Sequence, residues 1–338
     1  MRLKRYIIRA ASMLMLIIAL IPLASCDAVF DDLDPCPTPG VRLRFVYDYN
    51  MEFADAFASQ VDCLTLLVYD ASGKYVTTRT ASKAQTSDKN WRMDIDLPAG
   101  KYSLLAYGGM ECPDSSFSFV SDPAATPEQD IEVALKPGYL SPDVDKPLHH
   151  LFYGALDVTV STPKPGSGHT EATVYMIKDT NDIRILLANT EGIPTDAADF
   201  DFSIEDNNTL LNWQNLPISD TSSTYYPWTK GNVEAGIYDN DNKAQMAFAE
   251  LSTSRLMERG AAQLKVTRLS DGKEVIRIPL VNILLLLKSE RYQSMGPQEF
   301  LDRQSRWNLT FLLTGSDEWI KTSIIINDWI VRINNIEE

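Results

Sequence analysis

Cysteine is the residue type with the widest chemistry in this chain, which has four, at positions 26, 36, 63 and 112. Two thiols can oxidise to a disulfide, and closely spaced thiolates can bind zinc. Cys36, Cys63 and Cys112 are widely spaced and form no CxxC pair, so a zinc site is not predicted. In an exported protein one pair of these three would oxidise and leave one thiol free. All three pairings are open.

Histidine, serine and the acidic residues form no catalytic or metal-binding pattern. The chain has three histidines, none of them in an HExxH motif, and it has neither a GxSxG nucleophile elbow nor a phosphate-binding glycine loop. The best calcium candidate is residues 239–250. It has Lys243 at a ligand position and Ala244 where an EF-hand loop needs glycine. We therefore predict no enzyme activity, no cofactor and no metal.

Cys26 is a candidate for lipid attachment because of the segment before it. Residues 1–9 carry four basic residues and no acid, and an apolar run over residues 10–23 follows. This is the layout of a secretory signal, and the run is shorter than the ~20 residues that a spanning helix needs. Leu23-Ala24-Ser25-Cys26 resembles the lipobox of bacterial lipoproteins, in which the thiol receives a diacylglyceryl group and the chain is cut before the cysteine. The alternative is a soluble secreted protein cut near Ala24.

The charge balance excludes one class of partner. Loss of residues 1–25 would take the formal net charge from −15 to −19. An acidic surface repels phosphate backbones, and no Lys/Arg stripe with interleaved aromatic residues is present, so we predict no nucleic-acid binding. The apolar content of 44% excludes a disordered chain.

Short alternating runs predict an all-β protein. After a signal peptide over residues 1–25 and an acidic, proline-containing tether over 26–40, period-2 alternation begins at residue 41. Residues 91–97 and 102–107 predict a hairpin, and the turn-rich segment 136–147 predicts a domain boundary. Two antiparallel β-sandwich domains are expected, over residues 41–146 and 147–338.

The second series of runs also consists mainly of predicted strands. Residues 283–287 are an apolar run that predicts a strand, and residues 322–333 predict a last strand broken by Asn327-Asp328. Pro297 starts a segment, residues 297–303, that predicts one short helix.

Short motifs in a fixed order carry a family resemblance. In the first half they are Asp31-Asp32-Leu33-Asp34-Pro35-Cys36-Pro37, Tyr47-Asp48-Tyr49-Asn50-Met51, Val68-Tyr69-Asp70 and Leu97-Pro98-Ala99-Gly100-Lys101-Tyr102. In the second half they are Leu151-Phe152-Tyr153-Gly154, Glu299-Phe300-Leu301-Asp302-Arg303, Leu309-Thr310-Phe311 and Ile324-Ile325-Ile326-Asn327-Asp328-Trp329. Together with Cys26 they resemble, from end to end, the FimB-type fimbrillin-associated anchor subunits of Bacteroidetes fimbriae. Asp328 departs from the family pattern, which usually has glycine before the tryptophan.

The resemblance implies two transthyretin-like β-sandwiches and a role at the base of a surface fimbrium. There the protein would fix the fimbrium to the outer membrane and limit its length, with fimbrillin (pilin) subunits as partners through β-strand pairing and the membrane as partner through the lipid. Acidic residues behind Cys26 resemble the surface-export signal of Bacteroidetes lipoproteins, or are a solvated linker.

A physical argument agrees with an anchoring role. Shaft subunits that polymerise by strand exchange lose an N-terminal strand, and the lipid leaves with it. An anchor must keep its lipid. If it therefore keeps its first strand, residues 41–47, its own groove stays filled and the polymer ends there.

The last predicted strand is the candidate joining surface. If the first strand is retained, residues 322–333 are the remaining strand that could pair with a neighbour, and Ile324, Ile326 and Trp329 could fill the neighbour's pockets. The alternative is that this strand completes the second sandwich.

A binding role of another class is the alternative function. A surface lipoprotein could capture a glycan or a host protein, with Trp91, Trp213 and Trp228 as candidate platforms. Half-buried packing is the more common role of such tryptophans and is the favoured explanation.

Overall fold

The computed structural model describes residues 38–162, 168–236, 243–321 and 323–332. The strands of the first part are β1 (Gly40–Val46), β2 (Leu64–Asp70), β3 (Tyr75–Ala81), β4 (Met93–Asp96), β5 (Gly100–Gly108), β6 (Phe117–Phe119), β7 (Glu132–Leu135), β8 (Phe152–Val160), β9 (Thr170–Tyr175) and β10 (Ile177–Lys178). Those of the second part are β11 (Asn181–Asn189), β12 (Phe200–Asp206), β13 (Leu210–Asn212), β14 (Ser223–Tyr225), β15 (Thr229–Gly236), β16 (Lys243–Thr253), β17 (Gln263–Arg268), β18 (Glu274–Pro279), β19 (Arg306–Leu313), β20 (Ser323–Ile326) and β21 (Trp329–Arg332). The α-helices are α1 (Phe57–Gln60), α2 (Lys83–Thr86), α3 (Leu280–Arg291) and α4 (Pro297–Arg303). The predicted all-β fold class is confirmed.

Two sandwiches are built from four of the sheets. In the first, the sheet β4-β1-β9 packs on the sheet β10-β8-β5-β2-β3, and in the second, β15-β16-β11-β19-β20-β21 packs on β14-β12-β17-β18. Neighbouring strands are antiparallel except for the pairs β1–β9 and β11–β19, which are parallel. A small sheet, β13-β7-β6, joins a strand of the second part to two strands of the first.

The five-stranded sheet is covered on both faces, which explains the apolar run Leu66-Leu67-Val68-Tyr69 in β2. Leu64, Leu66 and Val68 belong to the cluster shared with the sheet that contains β1, whereas Leu67 and Tyr69 belong to the cluster that joins the small sheet and the second sandwich. All five are at most 1% exposed. Because side chains alternate along a strand, a doubly covered strand needs apolar residues at consecutive positions. The two sandwiches therefore share a continuous apolar contact.

Strand pairing crosses the boundary predicted between residues 146 and 147. β8 pairs with β5 along its whole length, and β9 pairs with β1. The first sandwich therefore continues to Lys178, because its central sheet and its outer sheet are each completed by strands that follow the turn-rich segment.

Two local predictions are also corrected. The strands predicted over residues 91–97 and 102–107 exist as β4 and β5, but β4 pairs with β1 while β5 pairs with β2 and β8, so the turn between them crosses from one sheet to the other. Residues 283–287 lie in α3 rather than in a strand. A run of apolar residues without alternation fits a buried strand and a buried helix equally well. The short helix predicted over residues 297–303 is confirmed as α4.

Candidate functional site

The first strand lies at the centre of its sheet, in the groove between β4 and β9. It pairs antiparallel with β4 and parallel with β9. Val41, Leu43 and Phe45 point into the core and are at most 4% exposed. Gly40 begins the strand where a Cβ atom would clash with the carbonyl oxygen of Ile95. Since full burial of one such side chain stabilises by about 1.5–3 kcal/mol, removal of β1 would strongly destabilise the sandwich.

The outer face of β1 contributes less. The guanidinium of Arg42 makes two hydrogen bonds to the carboxylate of Asp94, at 2.7 and 2.9 Å, and Arg44 lies 3.3 Å from Asp55. The Arg42 hydrogen bond lowers the pKa of Asp94. Both arginine side chains are about half exposed, and exposed ion pairs stabilise by about 0–1 kcal/mol. The strand is therefore held mainly by its buried side chains and its two backbone ladders.

The segment that leaves β1, residues 47–56, is held in one conformation by its own polar side chains; we call it the latch loop. Asp55 accepts hydrogen bonds from the backbone N–H groups of Tyr47 and Phe57, both at 3.1 Å. Asn50 donates to the carbonyl oxygens of Tyr47 and Ala54, at 3.0 and 2.8 Å. These hydrogen bonds satisfy backbone groups that leave the sheet ladder. Burial also raises the pKa of Tyr47, at the start of the loop, to about 12.

Arg303, on α4, clamps the latch loop to the second sandwich. Its guanidinium carbon lies 4.0 Å from the ring centroid of Tyr49 and 4.6 Å from that of Phe53. Nη1 donates to the carbonyl oxygen of Asp48 at 3.3 Å, and Nε donates to Glu299 at 2.8 Å. A planar cation between two rings combines cation–π attraction with hydrogen bonding. The exit from β1 is thus fixed by a residue about 250 positions later.

A buried polar cluster lies beside the clamp at the junction of the sandwiches. Arg255 makes two hydrogen bonds to Asp302 of α4, at 2.9 and 2.8 Å, and donates to the carbonyl oxygen of Asn215 at 2.6 Å. The Asn215 amide donates to Asp179 at 2.7 Å. Asp179 is fully buried, and burial raises its pKa to about 7. The cluster joins the segments after β10, β13 and β16 to α4.

Two motifs of the family resemblance meet here. Tyr47-Asp48-Tyr49-Asn50-Met51 supplies one ring and the carbonyl oxygens of the clamp. Glu299-Phe300-Leu301-Asp302-Arg303 supplies the cation, its acidic neighbour and the partner of Arg255, and its two apolar residues are buried in the core. The sequence marked both motifs without indicating that they touch. The arginine in one motif and the aromatic residues in the other could have suggested a cation–π contact between them.

The cysteine pairing left open by the sequence is Cys63–Cys112 in this structure, with a sequence separation of 49. Cys26 and Cys36 lie outside the described residues. Within the described ranges, no three His, Cys, Asp or Glu side chains are arranged to hold a metal ion. No helix among the described residues is both long and apolar enough to cross a bilayer.

The C-terminal segment is a hairpin, β20–β21, rather than a single broken strand. Asn327 and Asp328 form its turn with φ values of 47° and 67°, the left-handed backbone that tight hairpins need. Ile324 and Ile326 are completely buried in this chain's own core, as in the alternative in which this strand completes the second sandwich. Their strand pairs with β19, which places their alternating face against the second sandwich. Trp329 is 47% exposed on β21, the outermost described strand of the sheet.

The three candidate platform tryptophans are all half-buried. Trp91 stacks on Phe45 with ring centroids 5.8 Å apart. Trp213 packs against the core, and its carbonyl oxygen accepts a 2.7 Å hydrogen bond from the Tyr153 hydroxyl. Trp213 also lines a cleft of about 510 Å³. Packing thus accounts for Trp91, while Trp213 combines packing with access to solvent.

Comparison with known proteins agrees with the motifs. A sequence profile for Mfa2, the fimbrillin-A associated anchor proteins Mfa1 and Mfa2, matches residues 33–335. No curated protein matches the chain. A candidate adhesin from Bacteroides thetaiotaomicron VPI-5482 is 47% identical, with 90% of this chain and 100% of that chain covered and a TM-score of 0.83.

Two further solved structures are similar. A candidate polysaccharide-binding protein from Bacteroides thetaiotaomicron VPI-5482 is 31% identical, with 88% and 98% of the two chains covered and a TM-score of 0.74. The fimbrial anchor protein Mfa2 from Porphyromonas gingivalis is 16% identical, with 87% and 99% covered and a TM-score of 0.64. At that identity the last likeness concerns the fold alone.

Proposed function

We propose, from the premise that this chain belongs to the family of fimbrillin-A associated anchor proteins, that it anchors a fimbrium to the outer membrane through lipid on Cys26 and limits the length of the fimbrium. The family consists of fimbrial structural proteins and is not an enzyme family. This agrees with the lack of a catalytic motif in the sequence.

The observation that supports anchoring most directly is the central position of β1. The strand begins at Gly40, only 14 residues after Cys26, and its inner face is part of the core. A subunit that keeps this strand keeps everything on its N-terminal side, including a lipid on Cys26. Its own groove is also filled, so it cannot accept a strand there. Retention of β1 would therefore both anchor the fimbrium and end its growth.

The surface proposed to join the neighbouring subunit is the outer edge of β21. The outermost described strand of a sheet can pair with a neighbouring strand by β-augmentation, and Trp329 and Ile330 are 47% and 67% exposed there. Ile324 and Ile326, on the neighbouring strand β20, are buried in the core of their own sandwich.

The lipid is tested by Cys26→Ala, with Cys36→Ala as the matched control. We expect the first variant to lose lipid labelling and to leave the membrane fraction or stay uncleaved, with fimbriae shed into the medium. Cys36→Ala should fractionate as the unchanged protein does. A processed, membrane-bound Cys26→Ala protein would contradict the proposal.

The joining surface is tested separately by Ile330→Lys, with Leu269→Lys as control. Both positions are exposed, at 67% and 53%, so neither charge should unfold the chain. A lysine on an edge strand opposes strand pairing. We expect Ile330→Lys to release or lengthen fimbriae while the control leaves them normal. Normal, attached fimbriae with a folded Ile330→Lys protein would place the joining surface elsewhere.

A further inference from the structure

A polar cleft of about 510 Å³ opens beside the junction of the two sandwiches. Its floor is one face of the five-stranded sheet, where β5 and β8 place Ser103 opposite Asp157 and Lys101 opposite Thr159. These four residues share a face because side chains two positions apart on a strand point the same way. One wall is Trp213, which comes from the second part of the chain. The cleft is therefore assembled from segments distant in sequence.

The walls of the cleft are held in place before any ligand arrives. The Tyr153 hydroxyl donates to the carbonyl oxygen of Trp213 at 2.7 Å, which fixes the backbone of the tryptophan. Glu128 accepts a hydrogen bond from the Ser103 hydroxyl and joins the floor to the opposite wall. Preformed clefts of 300–1,000 Å³ with a few polar groups are typical of small-molecule sites, and they occur preferentially between domains.

The charges in the cleft select the class of ligand. Lys101 and Asp157 are both exposed, and among the described residues neither forms an ion pair. An anion would meet the carboxylates of Asp70, Glu128 and Asp157, and a cation would meet the ammonium group of Lys101. A neutral molecule with many hydroxyl groups can donate to the carboxylates and accept from the ammonium group at the same time. The indole of Trp213 adds an apolar face for a ring.

We propose that this cleft binds a neutral saccharide, with Asp157 and Lys101 hydrogen-bonding its hydroxyl groups and Trp213 packing against a sugar ring. The site is independent of the anchoring role, since it uses neither β1 nor β21. A fimbrial anchor with such a site would also attach to a glycan at the cell surface.

The test is binding of the full mature chain, in detergent, to an array of neutral, anionic and amino-substituted oligosaccharides, followed by calorimetric titration of the strongest neutral one. Loss of one hydrogen bond to a charged group predicts that Asp157→Asn and Lys101→Met each bind about tenfold more weakly or worse. Asp201→Asn removes an exposed strand carboxylate outside the cleft and should bind unchanged. Trp213→Phe should bind more tightly than Trp213→Ala.

If Trp213→Ala does not fold, Asp157→Asn and Lys101→Met still test the site. Both side chains are exposed, and each replacement is close in shape to the residue it replaces. The proposal is overturned if no neutral oligosaccharide binds, if only anionic or amino-substituted glycans bind, or if folded Asp157→Asn and Lys101→Met proteins bind as the unchanged chain does.

Discussion

Replacing Arg303 by alanine should loosen the latch loop while leaving both cores intact. The side chain is 13% exposed, and its contacts are the rings of Tyr49 and Phe53, the carbonyl oxygen of Asp48 and the carboxylate of Glu299. None of these partners is in the apolar core. The substitution therefore removes the clamp without removing a side chain of the apolar core.

The size of the effect follows from these contacts. A cation–π contact stabilises by about 0.5–1 kcal/mol when exposed and about 2 kcal/mol when desolvated. Phe53 is 60% exposed, so its contact lies at the low end, and Tyr49 is the stronger partner. The ion pair with Glu299 lies within α4, so it holds the guanidinium in place but is not broken when the latch loop opens. We expect the free energy of opening the latch loop to be about 2–3 kcal/mol lower in Arg303→Ala than in the unchanged chain.

Hydrogen exchange measures this local opening directly, whereas a melting curve of two packed sandwiches averages over the chain. A loss of about 2–3 kcal/mol predicts exchange about 30- to 150-fold faster in residues 47–56. Amides of β11 and β16, in the second sandwich, should exchange at their original rates. Arg303→Lys keeps the charge but not the planar group, so its effect should be intermediate.

Arg277→Ala is the matched control, since Arg277 forms an i to i+3 ion pair with Glu274 and is 58% exposed. Its exchange profile should be unchanged. Equal exchange in residues 47–56 of the Arg303→Ala and Arg277→Ala proteins would refute the clamp. A uniform acceleration over both sandwiches would show instead that Arg303 supports global stability.

Three other variants test the structure by urea or thermal unfolding. Burial raises the pKa of Asp179 from 3.8 to about 7, so the folded chain keeps a proton that the unfolded chain releases, and stability should fall as pH rises from about 4 to about 7. Asp179→Asn should remove up to ~4 kcal/mol of this pH dependence, and an unchanged slope would contradict the assignment. The double substitution Cys63→Ala and Cys112→Ala should lower the free energy of unfolding by about 2–4 kcal/mol, because the bridge closes a long loop. Equal free energies of unfolding for the oxidised chain and the double variant would argue against the bridge. Asp328→Gly should raise stability by about 0.5–1 kcal/mol, since glycine adopts a φ of 67° without strain; a lower melting temperature would contradict this.

Local patterns predicted most of the strands, the short helix at Pro297 and the lack of catalytic motifs, because alternation and helix-start signals act over a few residues. They failed where an apolar run lacked alternation: Ile283 was predicted in a strand but lies in α3, which is buried against the second sandwich. Either structure would bury such a run, so the choice depends on the space left by the surrounding elements.

Pairing between distant segments was decided only by the tertiary structure. The sequence marked Tyr49 and Arg303 within family motifs, and left the partner of Cys63 open. The Cys63–Cys112 bridge depends on the pairing of β2 with β5, and the contact of Tyr49 with Arg303 depends on α4 lying beside the exit of β1. The burial of Ile324 and Ile326 was decided in the same way, because period-2 alternation shows that one face of a strand is apolar but not which core covers it.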